Sequence, residues 1–184
     1  GSGYAPHGTF VIDKKLANPE DIELLLKIGS LCNDAKINEK DKKREVIGDP
    51  TEAALIVSAA KSGLKQKKLN KEKPRIDEIP FSSEKKMMTT IHQVGKEKFS
   101  YTKGSPDIIL AKCNKIIING KVQRLNRDLR KKITTQNEEF AKDALRVLGF
   151  SYNKNFKNTE DSEKDMIFVG LQAMIDPPRQ EVKE

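Results

Sequence analysis

Residues 75–103 read RIDEIPFSSEKKMMTTIHQVGKEKFSYTK. Three short runs stand in it, 76–81, 86–94 and 98–103, each with β-branched or aromatic residues in a strand-like pattern. Val94-Gly95-Lys96-Glu97 predicts the tight turn between the last two. A second hairpin is predicted downstream, 115–118 against 121–125, around Asn119-Gly120, a pair that tolerates the positive φ of a type I′ turn. Residues 147–152 and 166–173 read as two more strands, with 153–165 as a polar, mobile loop between them. Helices are predicted around these strands. Asn18-Pro19-Glu20 opens one, with Leu24, Leu25, Ile28, Leu31 and Cys32 at helical spacing. Asp49-Pro50-Thr51-Glu52 opens another, which Gly63 ends. Ser105 caps a short helix to about 113, and Asn126 a long one to about 145. Strands joined by hairpins, with helices inserted, predict an α+β fold: an antiparallel β-sheet flanked by helices. The βαβ alternation of a Rossmann or P-loop domain is missing, and no Walker-type glycine loop occurs. A nucleotide bound here is held without a phosphate-cradling loop.

The 184 residues fit one domain with its own core. Hydrophobic residues make up 36% and charged residues 34%, a soluble composition whose apolar clusters recur along the whole length and argue against disorder. No stretch approaches the ~20 apolar residues of a membrane span. Two cysteines, Cys32 and Cys113, stand far apart, with His7 and His92 as the only histidines. That set makes a poor zinc site and predicts two reduced thiols in a cytosolic setting. The net charge of +8 draws polyanions: nucleic acids, acidic membranes or nucleotide triphosphates. Its densest part, residues 61–73, reads as a solvated helix end and loop. Aromatic residues are few and Trp is absent, so a stacking platform for single strands is poorly supplied.

Four stretches carry possible chemistry, each with an ordinary structural alternative. Phe81, with Lys86 five residues on, offers a ring for a base and a cation for phosphates; the alternative is a core ring and a solvated lysine. Lys103-Gly104-Ser105-Pro106-Asp107 sets a lysine at a strand end. A glycine that permits close approach follows it, then a helix N-terminus; the alternative is a plain strand-to-helix turn. Glu52 stands three residues after Asp49, so it either completes a capping box or accepts a hydrogen bond from a purine amino group. Arg146, ahead of Val147 and Leu148, reaches phosphate or ribose oxygens, or forms a surface ion pair of little energy.

Taken in order, these stretches resemble a known family. Gly48-Asp49-Pro50-Thr51-Glu52-Ala53-Ala54-Leu55, Phe81-Ser82-Ser83-Glu84-Lys85-Lys86-Met87-Met88-Thr89, Lys103-Gly104-Ser105-Pro106-Asp107, Leu145-Arg146-Val147-Leu148 and Asp176-Pro177-Pro178-Arg179 resemble the nucleotide-binding domain of P-type ATPases. The type II, calcium-pump-like branch is the most similar. The opening Gly3-Tyr4-Ala5-Pro6-His7-Gly8-Thr9-Phe10 is similar to the segment that follows the phosphorylation motif in bacterial and archaeal members.

The resemblance implies ATP as the ligand, as Mg-ATP in the intact pump. It implies that Phe81 stacks on adenine, Glu52 faces the adenine amino group, and Lys86 and Lys103 line the pocket. Gly104 keeps that pocket open, Arg146 contacts phosphate or ribose, and Leu148 forms an apolar wall. No residue of the chain is implied to be catalytic or to ligate a metal. Residues 1–10 are implied to be a linker from the phosphorylation domain and 11–174 the nucleotide-binding domain. Residues 175–184, with Asp176 and Arg179, form the hinge back. The implied partners are the phosphorylation and actuator domains of the same polypeptide, and the implied place is the cytosolic side of an integral membrane protein. Taken alone, the fragment is expected to be soluble and monomeric. Three departures stand out. Ser83 occupies a position where eukaryotic calcium pumps often carry arginine, so that a phosphate contact is either missing or supplied by Lys85. Asp107 stands for the usual glutamate. The Asp-Lys-Thr-Gly-Thr phosphorylation motif does not occur, so this stretch binds ATP without forming an aspartyl-phosphate. The rival reading is a basic nucleic-acid-binding module, which rests on the +8 charge alone and predicts steeply salt-dependent binding.

Overall fold

A computed structural model describes residues 4–12, 14–16, 18–40 and 43–175. In chain order the elements are β1 (Val11–Ile12), β2 (Lys15–Leu16), α1 (Glu23–Leu31), β3 (Lys36–Lys40), β4 (Lys43–Ile47), α2 (Pro50–Lys61) and α3 (Gln66–Glu72). Then come β5 (Arg75–Ser82), β6 (Met87–Val94), β7 (Glu97–Gly104), α4 (Pro106–Lys112), β8 (Cys113–Ile118), β9 (Lys121–Arg124), α5 (Arg127–Lys142), β10 (Leu145–Asn153) and β11 (Met166–Ile175). Seven strands form one sheet in the order β5-β6-β7-β10-β11-β8-β9. The fold is the expected α+β arrangement of a sheet flanked by helices, with one difference. Every neighbouring pair in the sheet is antiparallel except β8 and β11, which run parallel and make the sheet mixed. The cause is topological: the chain leaves β8 through the β9 hairpin, α5 and β10 before β11 returns beside it.

Alternate side chains of a strand face opposite sides, and Met87 and Met88 show both. Met88 joins a cluster with Ile28 and Leu31 of α1, Leu55 of α2, Leu69 of α3, and Tyr101, Phe150 and Ile167 of the sheet. Met87 joins a second cluster under α4 and α5, with Ile109, Cys113, Met166 and Phe168. The sheet is thus covered on both faces, which is why β6 is buried from Met87 to His92.

The turns follow their chemistry. Asn119 and Gly120 both have positive φ, 50° and 74°, as a type I′ turn requires. Gly95, at φ 60°, leads the two-residue turn between β6 and β7. Asp49 caps α2 by accepting hydrogen bonds from the amides of Thr51 and Glu52. Several expectations need correction. Asn18 caps a 3₁₀ turn, Pro19–Ile22, and α1 begins only at Glu23. The basic run 61–73 is not a loop; it contains α3, pinned by buried Leu69. Ser105 makes no cap bond, because its hydroxyl donates to the Asp107 carboxylate instead. α5 stops at Lys142, and Ala144 adopts the left-handed conformation at φ 54° that starts β10. Residues 153–165 are anchored rather than loose. Glu163, within the 3₁₀ turn Glu160–Glu163, is buried and accepts from the Thr89 hydroxyl at 2.9 Å. Tyr4, within the stretch read as a linker, packs against Ala35, Ala53 and Ile56. Asp176 and Arg179 lie outside the described residues.

Candidate functional site

Lys103 is the penultimate residue of β7 and pairs with Met88 on one side and Phe150 on the other. Cross-strand partners share a face, so its side chain runs under α1 and α2. It is 7% exposed. A lysine that deep needs its charge matched. Its ammonium donates to the Cys32 carbonyl, just past α1, and to Oε1 of Glu52 in the first turn of α2. The other carboxylate oxygen, Oε2, accepts from the amides of Asp34 at 3.2 Å and Ala35 at 3.1 Å. Glu52 therefore does not complete a capping box with Asp49. It turns away from its own helix end to join α2, the 32–35 loop and β7.

Arg146 and Leu148 approach the same helix turn from β10. Arg146 is exposed at the start of the strand, and its Nη1 donates to the Thr51 hydroxyl at 3.0 Å. Leu148, half-buried, packs against the cluster that contains Leu55 and Phe150. Phe81 and Lys86 belong to the other part of the group. Phe81 is 62% exposed, so the core-ring alternative is set aside. Lys86 is exposed too, but it lies in the turn before β6, not in the strand, with a left-handed φ of 52°. Ser82 pairs with Met87, and Met88 with Lys103. Phe81 is thus two strands from Lys103, roughly 10 Å at the usual strand spacing.

Gly104 has a specific packing reason. A Cβ there would lie 2.5 Å from the Lys86 carbonyl oxygen and 2.6 Å from Met87 Cβ. The glycine lets the end of β7 press against the Phe81–Lys86 turn and holds the two halves of the group in register. Gly104→Ala is expected to cost about 2 kcal/mol, as overpacking against backbone does. Urea unfolding measures it; a loss under about 0.5 kcal/mol contradicts this packing account.

Burial pushes the Cys32 thiol up from its ordinary pKa, against the opposing pull of Lys103. Cys113 is raised to about 12, again by burial. Both cysteines are free and buried. Lys85, the candidate substitute for an arginine at position 83, stands 3.8 Å from the Glu163 carboxylate. Two surface hollows lie away from the group. One, about 540 Å³, is lined by Lys115, Val122 and Arg124; the other, about 370 Å³, lies beside Phe99, Tyr101 and Tyr152.

The sequence reading missed the loop 32–35, which supplies a carbonyl and two amides to the Lys103–Glu52 pair. Backbone groups carry no side-chain signal. Asn33 and Arg75 do, but the partners that tie them to this loop and to Glu52 include residues 19 to 44 positions away.

Residues 21–181 match the family model for the P-type ATPase cytoplasmic domain N. The chain belongs to that family. This N domain is 41% identical over 166 residues to calcium-transporting ATPase 1 of Lactococcus lactis, an alignment covering 88% of the domain and 19% of the relative. It is 38% identical over 162 residues to the calcium-transporting ATPase lmo0841 of Listeria monocytogenes, covering 86% and 18%. With the calcium-transporting ATPase of Bacillus subtilis it shares 31% over 192 residues, covering 100% and 22%. The N domain thus spans about a fifth of the length of these curated relatives. Membership makes it a cytoplasmic N domain of the P-type ATPase family.

Proposed function

We propose that this N domain holds ATP on the open face between Phe81 and the first turn of α2. It then presents the γ-phosphate to an aspartate on an adjoining phosphorylation domain of the same polypeptide. The parent protein would be a membrane-embedded cation pump with an actuator domain, and calcium is the cation that its named relatives suggest. The observation that carries the reading is a large exposed ring, Phe81, two strands from a buried, charge-matched lysine. The ring supplies a stacking surface for adenine, and Glu52 supplies an acceptor for its amino group. Lys86 and Arg146 supply positive charge toward ribose and phosphates, and Lys103 lines the pocket and holds Glu52, with Leu148 as the apolar side and Gly104 holding the halves together. Magnesium would arrive with the triphosphate. The domain's contribution to phosphoryl transfer is positioning, not covalent chemistry.

An open face without a phosphate-cradling loop binds weakly, with a Kd of about 0.1–1 mM, or roughly 4–5 kcal/mol. Base–aromatic stacking contributes ~1–3 kcal/mol. Phe81→Ala is therefore expected to weaken ATP binding about tenfold while leaving unfolding free energy within ~0.5 kcal/mol, since the ring is mostly in solvent. Isothermal titration of parent and variant decides it. Equal affinities for the two proteins would remove Phe81 from the site.

A further inference from the structure

The Lys103–Glu52 pair does not position itself. Its geometry depends on the loop 32–35, and that loop is held by two side chains with no place in the ligand contacts described above. Arg75, at the start of β5, spreads its guanidinium across the loop. Nη1 donates to Asp34 Oδ1 and to Glu78 Oε2, both at 2.7 Å; Nη2 donates to the Asn33 carbonyl at 2.7 Å and the Leu31 carbonyl at 3.3 Å. Asn33 is buried and works from inside. Its Nδ2 donates to the carbonyls of Gly29 at 2.9 Å and Glu52 at 2.8 Å, and its Oδ1 accepts from the Ala35 amide at 2.9 Å. Gly48 closes the far side, since a Cβ there would lie 2.9 Å from Ala35 Cα.

The consequence falls on Glu52. A carboxylate has about four acceptor sites. Among the described residues, the amides of Asp34 and Ala35 and the Lys103 ammonium take three. The remaining one has a direction set by the loop. A carboxylate oxygen fixed that way accepts from the exocyclic amino group of adenine. It opposes the carbonyl oxygen that guanine carries at the equivalent position.

We propose that Arg75 and Asn33 are positioning residues that give this face its preference for adenine over guanine, acting through the 32–35 loop on Glu52. The inference rests on the ATP-binding reading above. Arginine's planar fork spans two carboxylates and two carbonyls at once, which a lysine cannot do. Aspartate at 33 keeps the acceptor for the Ala35 amide and loses both donors.

The test is titration of the parent, Arg75→Lys, Asn33→Asp and Phe81→Ala with ATP and with GTP, followed by amide NMR. The parent is expected to prefer ATP by on the order of tenfold. Arg75→Lys and Asn33→Asp are each expected to narrow that ratio to about two- or threefold, mainly by weakening ATP. Their spectra should change at Asp34 and Ala35 while the sheet stays native. Phe81→Ala should weaken both nucleotides alike and keep the ratio. If both positioning variants retain the parental ratio, or lose the two nucleotides in parallel, the inference is wrong. A parent that binds ATP and GTP equally also overturns it, leaving the functional reading intact. A parent that binds no ATP overturns that reading itself, and the inference with it. Should one positioning variant fail to fold, the other still decides.

Discussion

Lys103→Met is expected to remove detectable ATP binding and to lower the unfolding free energy by about 3 kcal/mol. Both effects come from one atom. The Lys103 ammonium neutralises Glu52, whose side chain is only 16% exposed. Breaking a buried ion pair from one side costs ~3–5 kcal/mol, because the surviving charge stays buried. Glu52 keeps the amides of Asp34 and Ala35, which places the expected loss at the lower end. The reverse variant, Glu52→Gln, leaves the ammonium with the Cys32 carbonyl and should also destabilise. The double variant should lose less than the sum of the two, by more than about 1 kcal/mol, since contacting charges couple. Urea unfolding of all four proteins measures this cycle. Lys103→Met as stable as the parent, or strictly additive losses, would falsify the pairing as an energetic unit.

His92 is expected to make the domain lose stability between pH 6.5 and about 4. Its ring is fully buried in β6 beside Tyr101, with ring centroids 5.2 Å apart. Nδ1 lies 2.8 Å from the Lys73 carbonyl, which only accepts, so the proton sits on Nδ1. Nε2, 2.8 Å from the Thr90 hydroxyl, then accepts from it. A second proton would remove that acceptor. Burial pulls the pKa down from the ordinary 6.5 to about 4, and the cations of Arg75 and Lys73 add to it; the bond to the Lys73 carbonyl works the other way. The folded-state pKa is therefore depressed. Above pH 6.5 neither state is protonated and the group changes nothing. Below it the unfolded chain takes up a proton that the folded ring refuses, so stability falls with pH until about 4. Each pH unit in that window costs about 1.4 kcal/mol, roughly 3 in all. Urea unfolding at pH 7.5 and pH 4.5, compared with His92→Gln, isolates the contribution. A His92 ring that titrates near 6.5 by NMR in the folded protein would contradict it.

What could be read in the residues had local causes. Asn119-Gly120 announces its turn because few other pairs accept two positive φ values, and Asp49-Pro50 announces α2 because both fit a helix start. Glu52, Phe81, Lys103 and Arg146 could be singled out as candidates from the residues, while their arrangement could not. That Glu52 turns from its own helix to Lys103 depends on contacts between residues 51 positions apart. The β3–β4 hairpin went unread because its strands are short and charged, with little alternation to mark them. α3 was hidden in the lysine run for a similar reason, its one buried anchor being Leu69. The parallel pairing of β8 with β11 depends on the path of the whole chain between them. Glu163 looked like part of a polar loop, and only its bond to Thr89, across 74 residues, explains its burial.

The most direct test of the account is an NMR titration of the domain with ATP. The expected result is saturable shifts with a Kd of about 0.1–1 mM. They should centre on Phe81, Lys86, Lys103, Gly104 and Arg146 and on the amides of Asp34 and Ala35. The contradicting result is no saturable shift there, or shifts spread along the lysines of α3 that vanish with added salt.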